Sequence, residues 1–261
     1  MFPFFTSDTA MFTGVGLIAF ICIFGAGLLG FAIRGFLPEH HRTDETGKTV
    51  HNVMGVVALL AALVLGLLVA NTKSSFDLRS QEVQQFSANL TLLDRELMHF
   101  GQDAAKAREM LRTFTARKIA QLWTDRAADS ANDALESVRL LDEIEGDLRL
   151  FAPKGAVHIE GRKNALDIIR ELKRTSRLLA VQQINATPRP FLIIGIFWLS
   201  VLFLCRAIFA PFNGTVIAAF FLAALSVSVA INLIFDMDQP FAGFIKVSSV
   251  PMQQALDWMK P

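Results

Sequence analysis

Four long runs of apolar residues dominate the pattern along the chain. They cover residues 11–33, 50–70, 191–210 and 215–235. Each reaches the roughly 20 residues that a helix needs to cross the hydrocarbon core, where every backbone N–H must find its partner within the helix. Short polar loops join the runs in two pairs, and Pro211-Phe-Asn-Gly separates the last two. The pattern predicts an all-α polytopic membrane protein with four transmembrane helices in two hairpins.

The polar stretch between the second and third runs has a helical pattern of its own. Its apolar residues follow the heptad spacing of a buried helix face, at Phe76, Val83, Phe86, Leu90, Leu93, Leu97 and Phe100. We expect the second span to continue as one long helix until Gly101, followed by helices over 103–123, 131–150 and 161–186. They would form a helical cytoplasmic bundle, with the heptad stripe making contacts between subunits as well as within one.

These patterns divide the chain into four predicted domains. They are a first transmembrane hairpin over residues 1–71, a helical cytoplasmic domain over 72–188, a second hairpin over 189–236 and a C-terminal tail over 237–261. The prolines at 188 and 190 mark the start of the second hairpin, because proline breaks a helix and restricts the residue before it.

Composition and charge narrow the class of protein. The mean hydropathy of +0.42 and the 52% hydrophobic residues are too apolar for an ordinary soluble domain. The chain has 25 Lys and Arg residues against 24 Asp and Glu residues, so bulk charge gives no reason to expect a nucleic-acid partner. Its partner is the lipid bilayer. Both cysteines fall within the predicted spans, which argues against a disulfide framework or a zinc site.

The basic residues near the span ends predict an orientation. Seven of them flank the central polar segment, at Lys73, Arg79, Arg170, Lys173, Arg174, Arg177 and Arg189, whereas the first short loop has Arg34, Arg42 and Lys48. Since cytoplasmic flanks carry an excess of Lys and Arg, we expect the middle domain and both termini to be cytoplasmic.

Candidate chemistry is sparse along the chain. His40, His41 and His51 have no carboxylate at ligand spacing on a predicted helix, His99 is alone among the histidines on the long helix, and His158 lies in a predicted loop. We interpret all five as solvated and not as metal ligands. The sequence contains no catalytic triad, zinc-protease motif or nucleotide fingerprint. We therefore predict no enzyme activity, metal or cofactor. Gly25, Gly27 and Gly30 indicate close approach of helices within the membrane.

Two polar features inside the spans are more informative. On the second span, a face of small residues leads to a polar exit at the membrane edge, formed by Asn71, Thr72, Lys73, Ser74 and Ser75. The small face consists of Gly55, Ala58, Ala62, Gly66 and Ala70. On the fourth span, Ser228, Asn232 and Asp236 share one helix face, which must meet another helix or water because uncompensated polar groups in hydrocarbon are costly. Both interpretations, hydrogen bonding between helices and an ion-conducting wall, stay open.

The fourth span ends in a motif that predicts a structural clamp. Pro240 forces the helix to end, so Asp236 and Asp238 lie where the helix dipole disfavours negative charge. We expect Lys73, Arg79 or Lys246 to compensate them and to join the span to the cytoplasmic helices. The alternative is a calcium site, although calcium usually takes about six to eight oxygen ligands.

Several of these segments also resemble a known family. Leu65-Gly-Leu-Leu-Val-Ala-Asn-Thr-Lys-Ser-Ser-Phe-Asp, Leu93-Asp-Arg-Glu-Leu, Pro211-Phe-Asn-Gly and Asp236-Met-Asp-Gln-Pro-Phe-Ala-Gly are similar to the bacterial bestrophin-like-domain membrane proteins, from about residue 15 to 256. Bestrophins proper are oligomeric anion channels with two hairpins around a cytoplasmic helical region. This chain lacks their long acidic run after the fourth span and an aromatic-rich pore neck on the second.

The resemblance implies a multi-pass protein of the bacterial inner membrane that forms a homo-oligomeric anion channel, with the second span lining the pore. The alternative is an accessory or scaffold subunit of a larger membrane complex without transport activity. A membrane enzyme is the weakest of the three classes, because the sequence shows no catalytic constellation.

Overall fold

The computed structural model describes residues 7–38, 43–123, 130–151, 155–182, 189–241 and 244–260. Every regular element among them is helical, which confirms the all-α prediction. The helices are α1 Ser7–Phe36, α2 Asp44–Met98, α3 Ala105–Trp123, α4 Ser130–Leu150, α5 Ala156–Gln182, α6 Arg189–Phe209, α7 Gly214–Met237 and α8 Val250–Trp258. A short 3-10 helix, Gly101–Ala104, lies between α2 and α3.

Four of these helices are long and apolar enough to cross a membrane, as the sequence predicted. The segments are Gly14–Phe36 of α1, the apolar part of α2, Pro190–Phe209 of α6 and Gly214–Met237 of α7. Local signals set the helix ends. The Asn213 side chain accepts a hydrogen bond of 2.9 Å from the backbone N–H of Val216, which caps the first turn of α7.

Two glycines with positive φ mark turns between helices. Gly101 (φ +59°) follows α2, which runs unbroken for 55 residues. Gly155 (φ +108°) precedes α5, which begins five residues before the predicted start at 161. The predicted end of this helix at 186 and the breaks at Pro153 and Pro188 lie outside the described residues.

The chain divides into two compact units. We call the first the span unit, Met1–Ser75 and Ala186–Ile245, and the second the polar unit, Phe76–Asn185 and Lys246–Pro261. Helix α2 contributes residues to both units, and α8 belongs to the polar unit.

In the span unit, α1 packs closely against α6 and α7. A Cβ atom at Gly30 would lie 2.4 Å from the backbone oxygen of Leu204, and one at Gly27 would lie 3.1 Å from the Phe220 ring. At Gly25 a Cβ atom would meet no described residue of the same chain within 4 Å, so close helix approach within one chain is found at Gly27 and Gly30 but not at Gly25. The core between the helices is formed by Ala19, Ile23, Ala61, Leu199, Leu202, Ala224 and Ile231.

In the polar unit, the heptad stripe of α2 is buried core. Leu90, Leu93 and Leu97 have no exposed surface, and the ring centroids of Phe86 and Phe114 lie 6.1 Å apart. These side chains are covered within one chain, so the expectation that they also contact a second subunit is wrong. The heptad spacing identified a buried face correctly, but spacing alone does not tell which chain covers it.

The residues predicted as a C-terminal tail pack on the helices of the polar unit. Trp123 Nε1 donates a hydrogen bond of 2.8 Å to the backbone oxygen of Val247, and Ser87 Oγ donates one of 2.5 Å to that of Pro251. Met252 of α8 is completely buried. One side of this segment, with Val247, Met252, Ala255 and Met259, is therefore part of the core of this unit.

Candidate functional site

The membrane part of α2 has one packed face and one open face. Ala61 and Leu68 are buried against the rest of the span unit, and Ala58 packs at the edge of the same core. The remaining positions of the predicted small-residue face, Ala62, Gly66 and Ala70, are exposed. A Cβ atom at Gly55 or Gly66 would meet nothing within 4 Å. A single chain therefore leaves most of this face uncovered.

The polar exit that follows is also divided between two faces. Asn71, Lys73, Ser74 and Ser75 are exposed, whereas Thr72 is buried, with 3% of its surface exposed. Each residue turns a helix by about 100°, which brings Thr72 onto the packed face one turn after Leu68. Its Oγ1 has no hydrogen-bond partner among the described residues. Thr72 therefore does not share the surface of its four polar neighbours.

The polar face of α7 lies inside the span unit. Ser228, Asn232 and Asp236 are 4%, 7% and 3% exposed. A Cβ atom at Gly16 of α1 would lie 3.0 Å from Asn232 Cβ, so this glycine makes room for the asparagine. Ser228 Oγ and Asn232 Oδ1 have no hydrogen-bond partner among the described residues. The three side chains share a face, but that face is covered by the chain itself.

The clamp motif closes on the backbone that follows it. The two carboxylate oxygens of Asp236 accept hydrogen bonds of 2.8 Å from the N–H of Phe244 and 2.6 Å from the N–H of Ile245. Pro240 is buried within the turn between them, and Asp238 caps the C-terminus of α7. Backbone amides therefore neutralise the buried carboxylate in part. No local sequence pattern predicts these donors, because their position depends on the path of the backbone after Pro240.

Two arginines hold the opposite end of the span unit. Arg206 Nη1 of α6 lies 2.8 Å from Nε2 and 3.1 Å from Nδ1 of His51 on α2, and either ring nitrogen can accept a hydrogen bond. Arg34 at the end of α1 donates a hydrogen bond to the backbone oxygen of Ala210. His51 is exposed, in agreement with the interpretation as a solvated histidine, and it also lies beside a guanidinium. This cation-rich end links α1, α2 and α6.

The other histidines lie in different surroundings. His158 packs 5.8 Å from the Phe100 ring, and with His99 and Glu96 it lines an open groove of about 420 Å³ in the polar unit. Within the described ranges, no three His, Cys, Asp or Glu side chains come close enough together to hold a metal ion. His40 and His41 lie outside the described residues.

Charged side chains in the polar unit form ion pairs and hydrogen bonds between its own residues. Arg108 forms a two-pronged ion pair with Asp94, with distances of 2.8 and 3.2 Å, and this hydrogen bonding raises the pKa of the guanidinium. Lys118 is 2% exposed and donates a 3.1 Å hydrogen bond to Gln121 Oε1. Burial lowers the pKa of Lys118 from 10.5 to about 8, because the charged form loses its hydration.

A family model of the bestrophin-like domain matches residues 21–252. The chain belongs to the bestrophin-like family. No curated protein matches its sequence.

Solved structures of bacterial bestrophin homologues share the fold of this bestrophin-like chain. One from Klebsiella pneumoniae with a tryptophan-to-alanine substitution has a TM-score of 0.68 at 14% identity, covering 98% of both chains. Another from the same organism, with an isoleucine-to-threonine substitution, has a TM-score of 0.65 at 13% identity, covering 94% of this chain and 98% of that chain. At such low identity the likeness establishes the fold.

Family membership and the four apolar helices identify an integral membrane protein of bacterial type. The exposed face of α2 ends in polar side chains that a single chain leaves uncovered. We call Gly55, Ala62, Gly66 and Ala70, together with Asn71, Lys73, Ser74 and Ser75, the open face of α2. The polar residues of α7 are excluded from this surface by their burial.

Proposed function

We propose that this bestrophin-like protein is a homo-oligomeric anion channel of the bacterial inner membrane, in which several copies contribute the open face of α2 to one conduction path. The observation that carries the proposal is that no described residue of the same chain lies within 4 Å of a Cβ atom at Gly55 or Gly66. Small side chains let helices from several copies approach each other or leave room for a path between them.

The polar end of this face supports an anion as the conducted species. Asn71, Ser74 and Ser75 offer amide and hydroxyl donors, and the exposed Lys73 adds a positive charge among them. Conduction requires binding that is firm enough to admit an ion and weak enough to release it, which neutral donors beside one cation provide. The acidic Asp236 lies buried on α7 and donors of the backbone hold its carboxylate, so it does not oppose an anion on the open face.

Reconstitution into planar bilayers tests conduction and selectivity together. We expect the purified protein to pass chloride or a larger anion, and Lys73→Glu to shift the reversal potential toward cation selectivity. Lys163→Glu makes the same charge change at an exposed position of α5 and should leave the reversal potential unchanged. Bilayers that stay silent over a range of pH, calcium concentration and voltage, with demonstrably folded oligomer, would favour the accessory-subunit alternative.

The particle mass tests the assembly. Gly66→Phe puts a large ring on the open face, where a single chain has free space. We expect this variant to fold but to run as a smaller particle in detergent than the wild-type protein. Leu222→Phe, at an exposed position of α7, is the control and should keep the wild-type mass. One copy of the chain beside unrelated subunits would contradict the homo-oligomer.

We further propose that the polar unit and both termini face the cytoplasm, on the basis of the basic residues that flank the central segment. Cys22 and Cys205 are first replaced by alanine, and single cysteines are then introduced at Asn164 and Thr49, both exposed. A membrane-impermeant thiol reagent applied to intact cells should label the cysteine at position 49 and leave that at position 164 unlabelled. The reverse pattern would invert the topology.

A further inference from the structure

The C-terminal half of α5 carries a groove whose described polar lining is cationic. The groove has a volume of about 440 Å³ and is lined by Arg170, Lys173, Arg174, Arg177 and Leu178. Among the described lining residues there is no acidic side chain, and the carboxylates that pair with three of these cations lie beside the groove. A concave surface that presents several guanidinium groups suits an anion that accepts several hydrogen bonds, because each guanidinium offers paired N–H donors in a fixed plane.

Lys173 is the least exposed of the residues that line this groove, and it already forms ion pairs with α4. Its Nζ lies 2.5 Å from Asp142 Oδ1 and also bonds Glu145, so it ties α5 to α4. Its side chain is 14% exposed. Burial lowers the pKa of Lys173, but the hydrogen bonds to Asp142 and Glu145 outweigh this effect and raise it. Lys173 therefore stays charged and fixes the helix that carries the arginines.

The three arginines that line the groove are exposed and remain available to a ligand. Arg170, Arg174 and Arg177 are spaced by four and three residues, so they share one face of α5. Arg170 pairs with Asp167, and Arg174 lies 3.9 Å from Glu171, but both pairs are exposed and such pairs are worth at most about 1 kcal/mol. Arg177 is exposed and has no hydrogen bond or ion pair with any described residue.

We propose that the face formed by Arg170, Arg174 and Arg177 binds the phosphate group of an anionic phospholipid. Three features favour a lipid over a soluble phosphate compound. Leu178 gives the groove an apolar edge that suits the glycerol and acyl part of a lipid. The described lining residues include no aromatic ring that could stack on a nucleobase. Arg177 also precedes the first residue of the membrane helix α6, Arg189, by only twelve residues of chain. Clusters of Lys and Arg next to a transmembrane helix attract anionic headgroups.

This site does not depend on ion conduction, so its test is a binding measurement. Full-length protein in detergent is titrated with phosphatidylglycerol or with phosphatidylcholine, and native mass spectrometry counts the bound lipids. In the test variant, Arg170, Arg174 and Arg177 are all changed to glutamine. In the control variant, the exposed Lys106, Arg139 and Lys163, which do not line the groove, are changed to glutamine.

We expect the test variant to bind phosphatidylglycerol at least tenfold more weakly than wild type, while the control variant binds it normally. Phosphatidylcholine binding should be the same in all three proteins. Equal loss of phosphatidylglycerol from both variants, or loss from neither, would overturn the site. If the triple variant does not fold, Arg177→Gln replaces it, because this side chain has no described partner. A loss of several-fold is then expected, and unchanged binding overturns the proposal.

Inorganic phosphate distinguishes a lipid headgroup from a free anion. We expect millimolar phosphate not to displace bound phosphatidylglycerol, because the lipid gains apolar contacts at Leu178 that phosphate lacks. Displacement by phosphate at concentrations near its cellular level would overturn the lipid assignment in favour of a soluble anion.

Discussion

Helices α2 and α7 both carry polar residues in apolar segments, yet the structure uses them in opposite ways. The open face of α2 is uncovered in a single chain, whereas Ser228, Asn232 and Asp236 of α7 are each less than a tenth exposed. The polar side chains of α7 therefore contribute to helix packing inside one chain. Those of α2 are the ones that a second copy or an ion can reach.

The difference teaches that polar residues in a span do not by themselves identify a conduction path. What covers the face decides its role. On α7 the cover is α1, whose Gly16 stands against Asn232. On α2, the cover that we propose is another copy of the chain. Each prediction below changes one side of this comparison.

The largest effect on stability is expected at Asp236, the last of the three polar residues on the α7 face. Asp236→Ala removes a buried acceptor and leaves the N–H groups of Phe244 and Ile245 unpaired, which should lower the free energy of unfolding by roughly 4 kcal/mol. Asp236→Asn retains one acceptor oxygen and should lose about half as much. Thermal unfolding in detergent measures both. An unchanged Tm for Asp236→Ala would mean that the carboxylate is not part of the folded core.

Paired glycine substitutions compare a covered helix with an uncovered one. At Gly30, a Cβ atom would lie 2.4 Å from a backbone oxygen, so Gly30→Ala must shift α1 against α6 and should cost roughly 3 kcal/mol of unfolding free energy. Gly66→Ala has open space and should raise the stability of a single chain by up to about 1 kcal/mol through helix propensity. Both variants are compared as dissociated monomers, in which an equal fall in Tm would show that another part of the same chain covers this face of α2.

Lys118 in the polar unit shows what it costs to bury a charged side chain, for comparison with the buried polar residues of α7. Lys118 has a pKa of about 8 in the folded protein against 10.5 when exposed. Below pH 8 both the folded and the unfolded states hold the proton, and the full cost of burying the charge is present. Between pH 8 and 10.5 the unfolded state binds more protons, so stability rises with pH.

Lys118→Met should therefore stabilise the protein at pH 7 by roughly 2 to 3 kcal/mol, with a gain that shrinks as the pH approaches 10. Lys163→Met, at an exposed position, is the control and should change little at any pH. Chemical denaturation between pH 7 and 10 measures the difference. A gain that is independent of pH would show that the lysine is neutral or solvated throughout.

The smallest effect is expected at Ser228, the first of the three polar residues on the α7 face. Its Oγ is buried with no described partner, so Ser228→Ala should leave stability unchanged or raise it by about 1 kcal/mol. Ser200→Ala is the contrast, because Ser200 Oγ donates a 2.8 Å hydrogen bond to Ile196 O and its loss should cost about 1 kcal/mol. A change in conductance for Ser228→Ala would reopen α7 as a lining helix.

Sequence periodicity predicted the helices and which residues share a face. The apolar runs gave the four membrane helices, and the heptad stripe gave the buried face of α2 up to Leu97, because both signals depend on helix geometry alone. Proximity in sequence was misleading at Thr72, which lies next to Lys73 in the chain but on the packed face of the helix.

Signals between distant segments were missing from the sequence. The contact of His51 with Arg206 joins residues 155 positions apart, and the donors to Asp236 come from a turn whose path no local pattern specifies. Whether a polar face is covered depends on the packing of other helices, which spacing along one helix does not contain. The sequence therefore predicted the candidate residues of the site better than their accessibility.

The glycines of α1 have a consequence for how this family can diverge. Gly16, Gly27 and Gly30 each have a neighbour at 3.1 Å or closer to a Cβ atom, whereas Gly14, Gly25 and Gly35 have none within 4 Å. Among relatives with the same helix packing, the first three positions should tolerate only the smallest side chains, while the other three are free to drift. Conservation along this one helix would then alternate according to contact and not according to residue type.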